Sequence, residues 1–111
     1  MFKIKKQGAV DILTGDEILN EETVDEIASV IDDCMNQGQP QIIFDLKKIP
    51  LINSKGLEFL LDTQDLCTRK GGAFKLAAPN ALCNDILKIT GIVEQFELFD
   101  DAISAAGSFV Q

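Results

Sequence analysis

Four consecutive residues, Asn53-Ser54-Lys55-Gly56, bring together an amide, a hydroxyl, a cation and a glycine. They lie between a short apolar run and an amphipathic pattern that begins near Ser54, so they are expected to lead into a helix. Backbone N–H groups at a helix start lack partners within the helix and attract anions. Phosphorylation of Ser54 would be tolerated there, and it would add roughly 1.5 to 2 negative charges. The segment is a candidate for a modification that controls the docking of a partner.

The segment also has a purely structural interpretation. Asn53 or Ser54 can cap the helix by accepting a hydrogen bond from an unpaired N–H group, and Gly56 can allow close packing. Lys47 and Lys48 are near enough in sequence to offset part of a phosphate charge. The residues alone leave the structural and the regulatory interpretation open.

The 111 residues include no histidine, which limits the chemistry available to the chain. Ser-His-Asp and Cys-His arrangements cannot form, and zinc sites lose their commonest nitrogen ligand. A lysine-assisted Ser54 next to Lys55 is disfavoured, because adjacent residues at a helix start rarely point together. No glycine-rich phosphate-binding motif occurs, so no cofactor is expected. Neighbouring acids such as Asp32-Asp33 diverge on a helix, so no metal site is expected either.

Charge is distributed unevenly along the chain, whose formal net charge is -8. Residues 7 to 46 carry ten acids and no base, whereas residues 47 to 88 carry seven bases and four acids. An acidic protein repels phosphate backbones, so nucleic acid is not an expected partner. The asymmetry can instead steer the approach of a protein partner.

Two features bear on the compartment in which the protein works. No apolar stretch approaches the roughly 20 residues of a membrane span, and the first six residues alternate apolar and charged side chains. We therefore expect a cytoplasmic protein without membrane insertion. Cys34, Cys67 and Cys83 lack a C-x-x-C spacing and fall on apolar helix faces, so they are expected to be small buried hydrophobes.

Hydrophobic periodicity and turn residues predict an alternation of strands and helices. The predicted strands are Phe2–Lys6, Ala9–Thr14, Gln41–Leu46, Ala73–Leu76 and Phe96–Leu98. The predicted helices run from Asn20 to Met35, from Ser54 to Arg69, from Asn80 to Thr90 and from an N-cap at Asp100 onward. The first two strands are expected to form a hairpin at one edge of the sheet, and the third is expected to be central.

The last two helices are expected to bury apolar residues at helical spacing, namely Leu82, Ile86 and Ile89 in one and Ile103, Ala106 and Phe109 in the other. The order β-β-α-β-α-β-α-β-α predicts an α/β fold in which helices pack on a mixed sheet behind an N-terminal hairpin. Functional loops in such sheets follow the carboxyl ends of parallel strands. That rule directs attention to the segment after the third strand.

Four segments carry a resemblance to a known family: Ile43-Phe44-Asp45-Leu46, Ile52-Asn53-Ser54-Lys55-Gly56-Leu57, Gly71-Gly72 before a strand, and Gly91-Ile92 before Phe96. With the order of elements, they resemble the STAS domains (sulfate transporter and anti-sigma factor antagonist), in particular the single-domain bacterial anti-sigma factor antagonists. The resemblance spans nearly the whole chain. It implies one STAS-like domain over residues 1–111 and a regulator that is not an enzyme.

In this family the loop usually reads Asp-Ser-Ser/Thr-Gly, and its first serine accepts phosphate from a partner serine kinase that carries its own Mg-ATP. The resemblance implies that Ser54 is the phosphoacceptor and that the unphosphorylated protein binds a kinase/anti-sigma factor, which frees a sigma factor. Phosphorylation would lower that affinity, and a separate phosphatase would reverse the modification. The implied partner-binding residues are Asp45, Asn53, Ser54, Lys55, Gly56 and Glu58.

Two residues depart from the family's pattern. Asn53 replaces the usual Asp and Lys55 replaces the usual Ser or Thr, so a carboxylate is lost and a cation is gained beside the hydroxyl. Either change can weaken recognition by such a kinase, or match a kinase with a more acidic docking surface. The alternative hypothesis is a constitutive STAS adaptor subunit of a transport or signalling assembly, without phosphorylation.

Overall fold

The computed structural model describes residues 1–36 and 38–109. Its strands are β1 (Phe2–Gln7), β2 (Val10–Gly15), β3 (Gln41–Asp45), β4 (Ala73–Ala77) and β5 (Leu98–Phe99). Its helices are α1 (Thr23–Val30), α2 (Asp32–Met35), α3 (Ser54–Arg69), α4 (Ala81–Ile89) and α5 (Ala102–Gly107), with a 3-10 turn over Ile92–Gln95. The predicted α/β class is confirmed.

All five strands join one sheet in the order β1-β2-β3-β4-β5. β1 and β2 form an antiparallel hairpin, whereas β2, β3, β4 and β5 are mutually parallel. The hairpin lies at one edge and β3 is central, as the sequence predicts. The carboxyl ends of the parallel strands meet at the same edge of the sheet, and the loop that leads to Ser54 leaves from the end of β3.

Two apolar cores cover the two faces of the sheet. The larger core lies beneath α1 to α4, and Phe44, Phe74 and Phe96 pack within it with ring centroids 6.4 and 6.2 Å apart. The smaller core lies beneath α5 and consists of Val10, Ile12, Ile43, Ala77 and Ala105. The helix that begins at Ser54 is therefore anchored on the larger core.

A buried lysine of β4, Lys75, lies on the smaller-core face and contacts the two residues that follow α5, Ser108 and Phe109. Its Nζ donates a hydrogen bond to Ser108 Oγ at 2.7 Å and lies 3.3 Å from Glu97 Oε2. The same ammonium lies 4.1 Å from the centroid of the Phe109 ring. A buried cation is costly unless it is paired, so these contacts explain how Lys75 is accommodated.

The first predicted helix begins later than expected and is divided in two. It begins at Thr23 rather than Asn20, and the Asn20 side chain accepts a hydrogen bond from Thr23 N at 3.0 Å across the turn that leads into the helix. The Asn20 N–H in turn donates to Thr23 Oγ1 at 2.9 Å, which is a reciprocal cap. At Ile31 the backbone leaves helical geometry, with ψ at 1°, and α2 follows.

The expected inward face of α4 is partly wrong. Leu82 and Ile89 are 51% and 85% exposed, and Ile86 is half-buried. The core instead takes Cys83 and Leu87, both fully buried. Apolar residues occupy two faces of this helix, and on the buried face the Cys83 thiol donates a hydrogen bond to the Ile49 carbonyl of the neighbouring loop at 3.4 Å.

The last strand and the last helix also differ from their predicted positions. The 3-10 turn delays β5 to Leu98–Phe99, and Phe96 packs into the larger core instead of starting the strand. α5 is capped by Asp101, one residue later than predicted, and the N–H of Ser104 lowers the pKa of that carboxyl. Ile103 is 80% exposed, contrary to its expected burial.

Other predictions for the ends of the elements agree with the structure. Gly91 follows α4 with φ at +77°, the left-handed conformation that favours glycine, and Ala106 and Phe109 pack on the smaller core. Cys34 and Cys67 are buried, like Cys83. Within residues 1–36 and 38–109, no helix combines the length and the apolar character needed to cross a membrane.

Candidate functional site

Ser54 is the first residue of α3, and its side chain is exposed. The residue before it, Asn53, has extended backbone geometry and caps the helix, because its Oδ1 accepts a hydrogen bond from Gly56 N at 3.0 Å. The first turn of α3 contains no acidic residue, so the positive end of the helix dipole is not neutralised within the helix. Asn53 therefore serves as the cap, and the Ser54 hydroxyl faces solvent at a helix start.

The start of α3 is held against the segment that precedes α1. Asn53 N donates to Leu19 O at 3.0 Å, and Leu19 N donates to Leu51 O at 3.0 Å. Leu19 is fully buried and forms an isolated parallel bridge with Ile52. These contacts fix the position of the Ser54 loop from both sides.

Gly56 is buried at the point of closest approach between α3 and that segment. A Cβ added there would lie 2.7 Å from Leu19 Cβ, 2.8 Å from Leu19 O and 2.9 Å from Ile52 Cγ2. Two of the three atoms belong to side chains packed in the core, and one belongs to the backbone. Gly56 thus acts by allowing close packing, which is one of the two interpretations that the sequence left open.

A second bond ties the cap to the same segment. Asn53 Nδ2 donates to Glu21 Oε2 at 3.2 Å. One amide therefore caps α3 through its oxygen and contacts the loop before α1 through its nitrogen. Leu19 and Glu21 were not among the residues that the sequence singled out. The apolar pair Ile18-Leu19 inside an acidic segment is the signal that could have found the first of them.

An open groove of about 320 Å³ runs between α1 and α3, next to Ser54. We call it the α1–α3 groove, and it is lined by Glu21, Val24, Asp25, Lys55, Glu58, Phe59 and Asp62. Lys55 and Glu58, two of the predicted partner-binding residues, lie on its α3 side, where Lys55 Nζ is 3.8 Å from Glu58 Oε2. The structure thus places Asn53, Ser54, Lys55 and Glu58 on one continuous surface.

Asp45 lies in a different cleft, also of about 320 Å³. Lys3, Thr14, Lys47 and Lys48 are among the other residues that line this cleft. Asp45 Oδ1 accepts a hydrogen bond from Lys47 N at 3.0 Å, so the carboxylate holds the turn that follows β3. Lys47 and Lys48 accompany Asp45 there, and the cation in the α1–α3 groove is Lys55.

The loop between Asp45 and Ser54 is supported by the start of α4. Asn80 Nδ2 donates to Ile49 O at 3.1 Å, and Cys83 Sγ donates to the same carbonyl at 3.4 Å. Burial raises the pKa of the Cys83 thiol above its ordinary value. The thiol is therefore a packing and hydrogen-bonding group at this site.

The chain is similar to known proteins in sequence and in structure. The family model of the STAS domain matches residues 1–105 of the chain. No curated protein sequence matches it at a significant level. A crystal structure of a Thermotoga maritima protein, described as a candidate anti-sigma factor antagonist, is 25% identical with a TM-score of 0.88. That match covers 96% of this chain and 92% of the other.

Two proteins of lower sequence identity, represented by three structures, show the same fold. The anti-sigma factor antagonist SpoIIAA of Bacillus, in its unphosphorylated form, is 15% identical over 98% of this chain and 96% of its own, with a TM-score of 0.82. Its phosphorylated form matches with a TM-score of 0.75. A sulfate transporter family protein from Wolinella succinogenes is 19% identical over 91% of this chain and 84% of its own, with a TM-score of 0.76. Because the family model matches nearly the whole sequence, this chain belongs to the STAS domain family.

Proposed function

We propose that the chain is a non-enzymatic regulatory binding module of the anti-sigma factor antagonist type. In this proposal it binds an anti-sigma factor that is also a serine kinase, and phosphorylation of Ser54 switches the binding. The observation that carries the proposal is the exposed Ser54 hydroxyl at the capped start of α3, where a modifying enzyme can reach it. The likeness to SpoIIAA, which has been solved with and without phosphate, supports the same interpretation.

The chain contributes only the hydroxyl to the modification itself. Ser54 Oγ attacks the γ-phosphorus of ATP held by the kinase, the bond to the bridging oxygen of ADP breaks, and the hydroxyl proton leaves to a base on the kinase. The positive end of the α3 dipole favours the charged product, because the first turn of α3 contains no acidic residue. A phosphatase that hydrolyses the phosphoserine restores the original hydroxyl.

Phosphate at Ser54 would act through charge. It adds roughly 1.5 to 2 negative charges beside Glu21 and Glu58, and it would face the phosphates of the nucleotide on the bound kinase. Repulsion across that contact lowers the affinity of the modified protein. In this proposal Asn53, Lys55 and Glu58 contact the partner around Ser54, Gly56 shapes the loop, and Asp45 is a more distant contact.

Binding of the chain to a purified anti-sigma factor kinase tests the proposal. Isothermal titration would compare the unmodified protein, the protein phosphorylated on Ser54 and the Ser54→Asp variant, with Ser54→Ala as the matched control. We expect a loss of affinity of about tenfold or more for the two charged forms and little change for Ser54→Ala. Equal affinities of all four forms would exclude a switch at Ser54.

The second candidate is a constitutive STAS adaptor in a transport or signalling assembly. The likeness to the Wolinella succinogenes transporter protein favours it, as do the departures from the usual loop at Asn53 and Lys55. This hypothesis predicts that Ser54→Asp binds its assembly as tightly as the wild type. The same titration with a transporter subunit as the partner distinguishes the two candidates. Equal affinity of Ser54→Asp and the wild type would favour the adaptor, and a loss of affinity would favour the switch.

A further inference from the structure

We infer that the α1–α3 groove docks a basic, amphipathic segment of a protein partner. The inference rests on the proposed function only in taking the partner at the groove to be the one that faces Ser54. The groove adjoins that serine through Lys55, the next residue of α3. What we infer therefore concerns the chemistry of the partner surface and not the phosphorylation of Ser54.

The shape of the groove suits an extended or helical segment. Lys55, Glu58, Phe59 and Asp62 occur at i, i+3, i+4 and i+7, so they share one face of α3. Phe59 is half-buried and packs against the larger core, which holds its ring in place. Val24 of α1 adds a second half-buried apolar side chain opposite it. An apolar stripe bordered by charged residues is the surface that an amphipathic segment covers.

The charge of the groove determines which charge the partner segment should carry. Among the described residues that line it, Glu21, Asp25, Glu58 and Asp62 supply four carboxylates and Lys55 supplies one cation. In the described part of the chain, no lysine or arginine lies within the 4.0 Å ion-pair distance of Asp25 or Asp62. Lys55 alone would attract an acidic partner segment. The four carboxylates around it make the groove negative overall, so the groove should attract a basic segment instead.

The carboxylates suit side-chain cations better than a metal ion. Among residues 1–36 and 38–109, no three or more acidic, cysteine or histidine side chains are placed to hold a metal. The four acids instead lie on both sides of the groove, Glu21 and Asp25 on the α1 side and Glu58 and Asp62 on the α3 side. Lysine and arginine match this arrangement, because their apolar stems can lie on Val24 and Phe59 while their head groups reach the carboxylates.

Charge pairing at an exposed groove has a measurable consequence. Ion pairs at the rim of an interface accelerate association and weaken as salt screens them, with a Debye length of about 10 Å at 0.1 M ionic strength. The phosphate switch at Ser54 acts by adding charge at one point. Docking through the groove is therefore separable from the switch, because docking depends on salt and on the groove carboxylates, whereas the switch depends on phosphate at Ser54.

A nuclear magnetic resonance titration of the full chain tests the inference. The probe is a synthetic helical peptide with leucine at i, i+3, i+4 and i+7 and lysine at the other positions. We expect shifts concentrated at Val24, Phe59 and their neighbours. The double variant Glu58→Lys/Asp62→Lys should bind about tenfold or more weakly. The matched control Asp32→Lys/Asp33→Lys, which changes two exposed acids of α2 by the same charge, should bind within about twofold of the wild type.

Three outcomes would overturn the inference: equal losses in both double variants, shifts concentrated away from the groove, or equal binding of a peptide with glutamate in place of lysine. The titration involves neither a kinase nor a phosphate. A negative titration would therefore exclude docking at the groove without excluding phosphorylation of Ser54. A lack of phosphorylation on Ser54 would likewise not exclude docking at the groove.

Discussion

Asn53 Nδ2 donates a hydrogen bond to Glu21 Oε2 at 3.2 Å, while Oδ1 of the same side chain accepts from Gly56 N at 3.0 Å. The amide thus caps α3 and ties it to the segment before α1. An aspartate, the residue that STAS antagonists usually carry here, would cap the helix equally well. It has no hydrogen to donate to a carboxylate, however, so Asn53 and Glu21 fit one another as a pair.

The first prediction tests this pair. Asn53→Asp should lower the free energy of unfolding by about 0.5 to 1 kcal/mol, because a hydrogen bond to a charged group is replaced by repulsion between two carboxylates. Combining it with Glu21→Gln, whose amide can donate, should restore most of that loss. Urea denaturation of the wild type, the two single variants and the double variant gives the coupling free energy. Strictly additive effects would show that the two side chains are independent.

The second prediction concerns Gly56. Gly56→Ala should destabilise the fold by about 1 to 3 kcal/mol, because its Cβ would overlap with Leu19 and Ile52 in a packed region. Gly107→Ala in α5 is the matched control, since a Cβ there has no neighbour within 4 Å among residues 1–36 and 38–109. The control should be neutral or more stable by about 0.5 kcal/mol, because alanine is the better helix former. Similar urea midpoints for the two variants would contradict the close approach of α3 to Leu19.

The third prediction concerns the buried thiols. Burial raises the pKa of Cys34 and of Cys67 from 9.0 to about 11. A group whose pKa is raised on folding stabilises the protein below its unfolded pKa and loses that contribution as the pH rises through its folded pKa. The free energy of unfolding should therefore fall between pH 9 and about 11, by about 1 kcal/mol per thiol near pH 10.

Urea denaturation across that pH range measures the effect. Cys67→Ala lowers the stability at every pH because it leaves a cavity, but it should also flatten the decline above pH 9. Thiol reagents provide an independent measure, since the folded protein should react slowly and the unfolded chain rapidly. An unchanged slope in Cys67→Ala would mean that this thiol does not contribute to the pH dependence.

Patterns with one dominant signal were sufficient to predict their elements. The bounds predicted for α3, Ser54 to Arg69, agree with the structure, since a cap, a continuous apolar stripe and a pair of glycines all mark the same helix. The central position of β3 followed from an uninterrupted apolar run that needs cover on both faces. In these segments local preference and tertiary packing favour the same answer.

Where a helix had apolar residues on more than one face, tertiary packing determined which face is buried, and the sequence alone does not show that packing. In α4 the apolar residues define two faces, and the hydrogen bond of Cys83 to the Ile49 carbonyl belongs to the face that is buried. In α5 the small Ala105 approaches the sheet, and the larger Ile103 is left outside. The sequence was sufficient to single out the Ser54 loop as a candidate site. The contact of Glu21 with Asn53 joins residues 32 positions apart, so only the folded structure reveals it.

Intact-protein mass spectrometry of the chain purified from its own host, with fragmentation to locate any added group, tests the central claim most directly. We expect the mass of one phosphate on a fraction of the molecules, located on Ser54, and its loss in Ser54→Ala. The absence of phosphate on Ser54 through growth and stress, with the cognate kinase present, would contradict the switch and favour the constitutive adaptor.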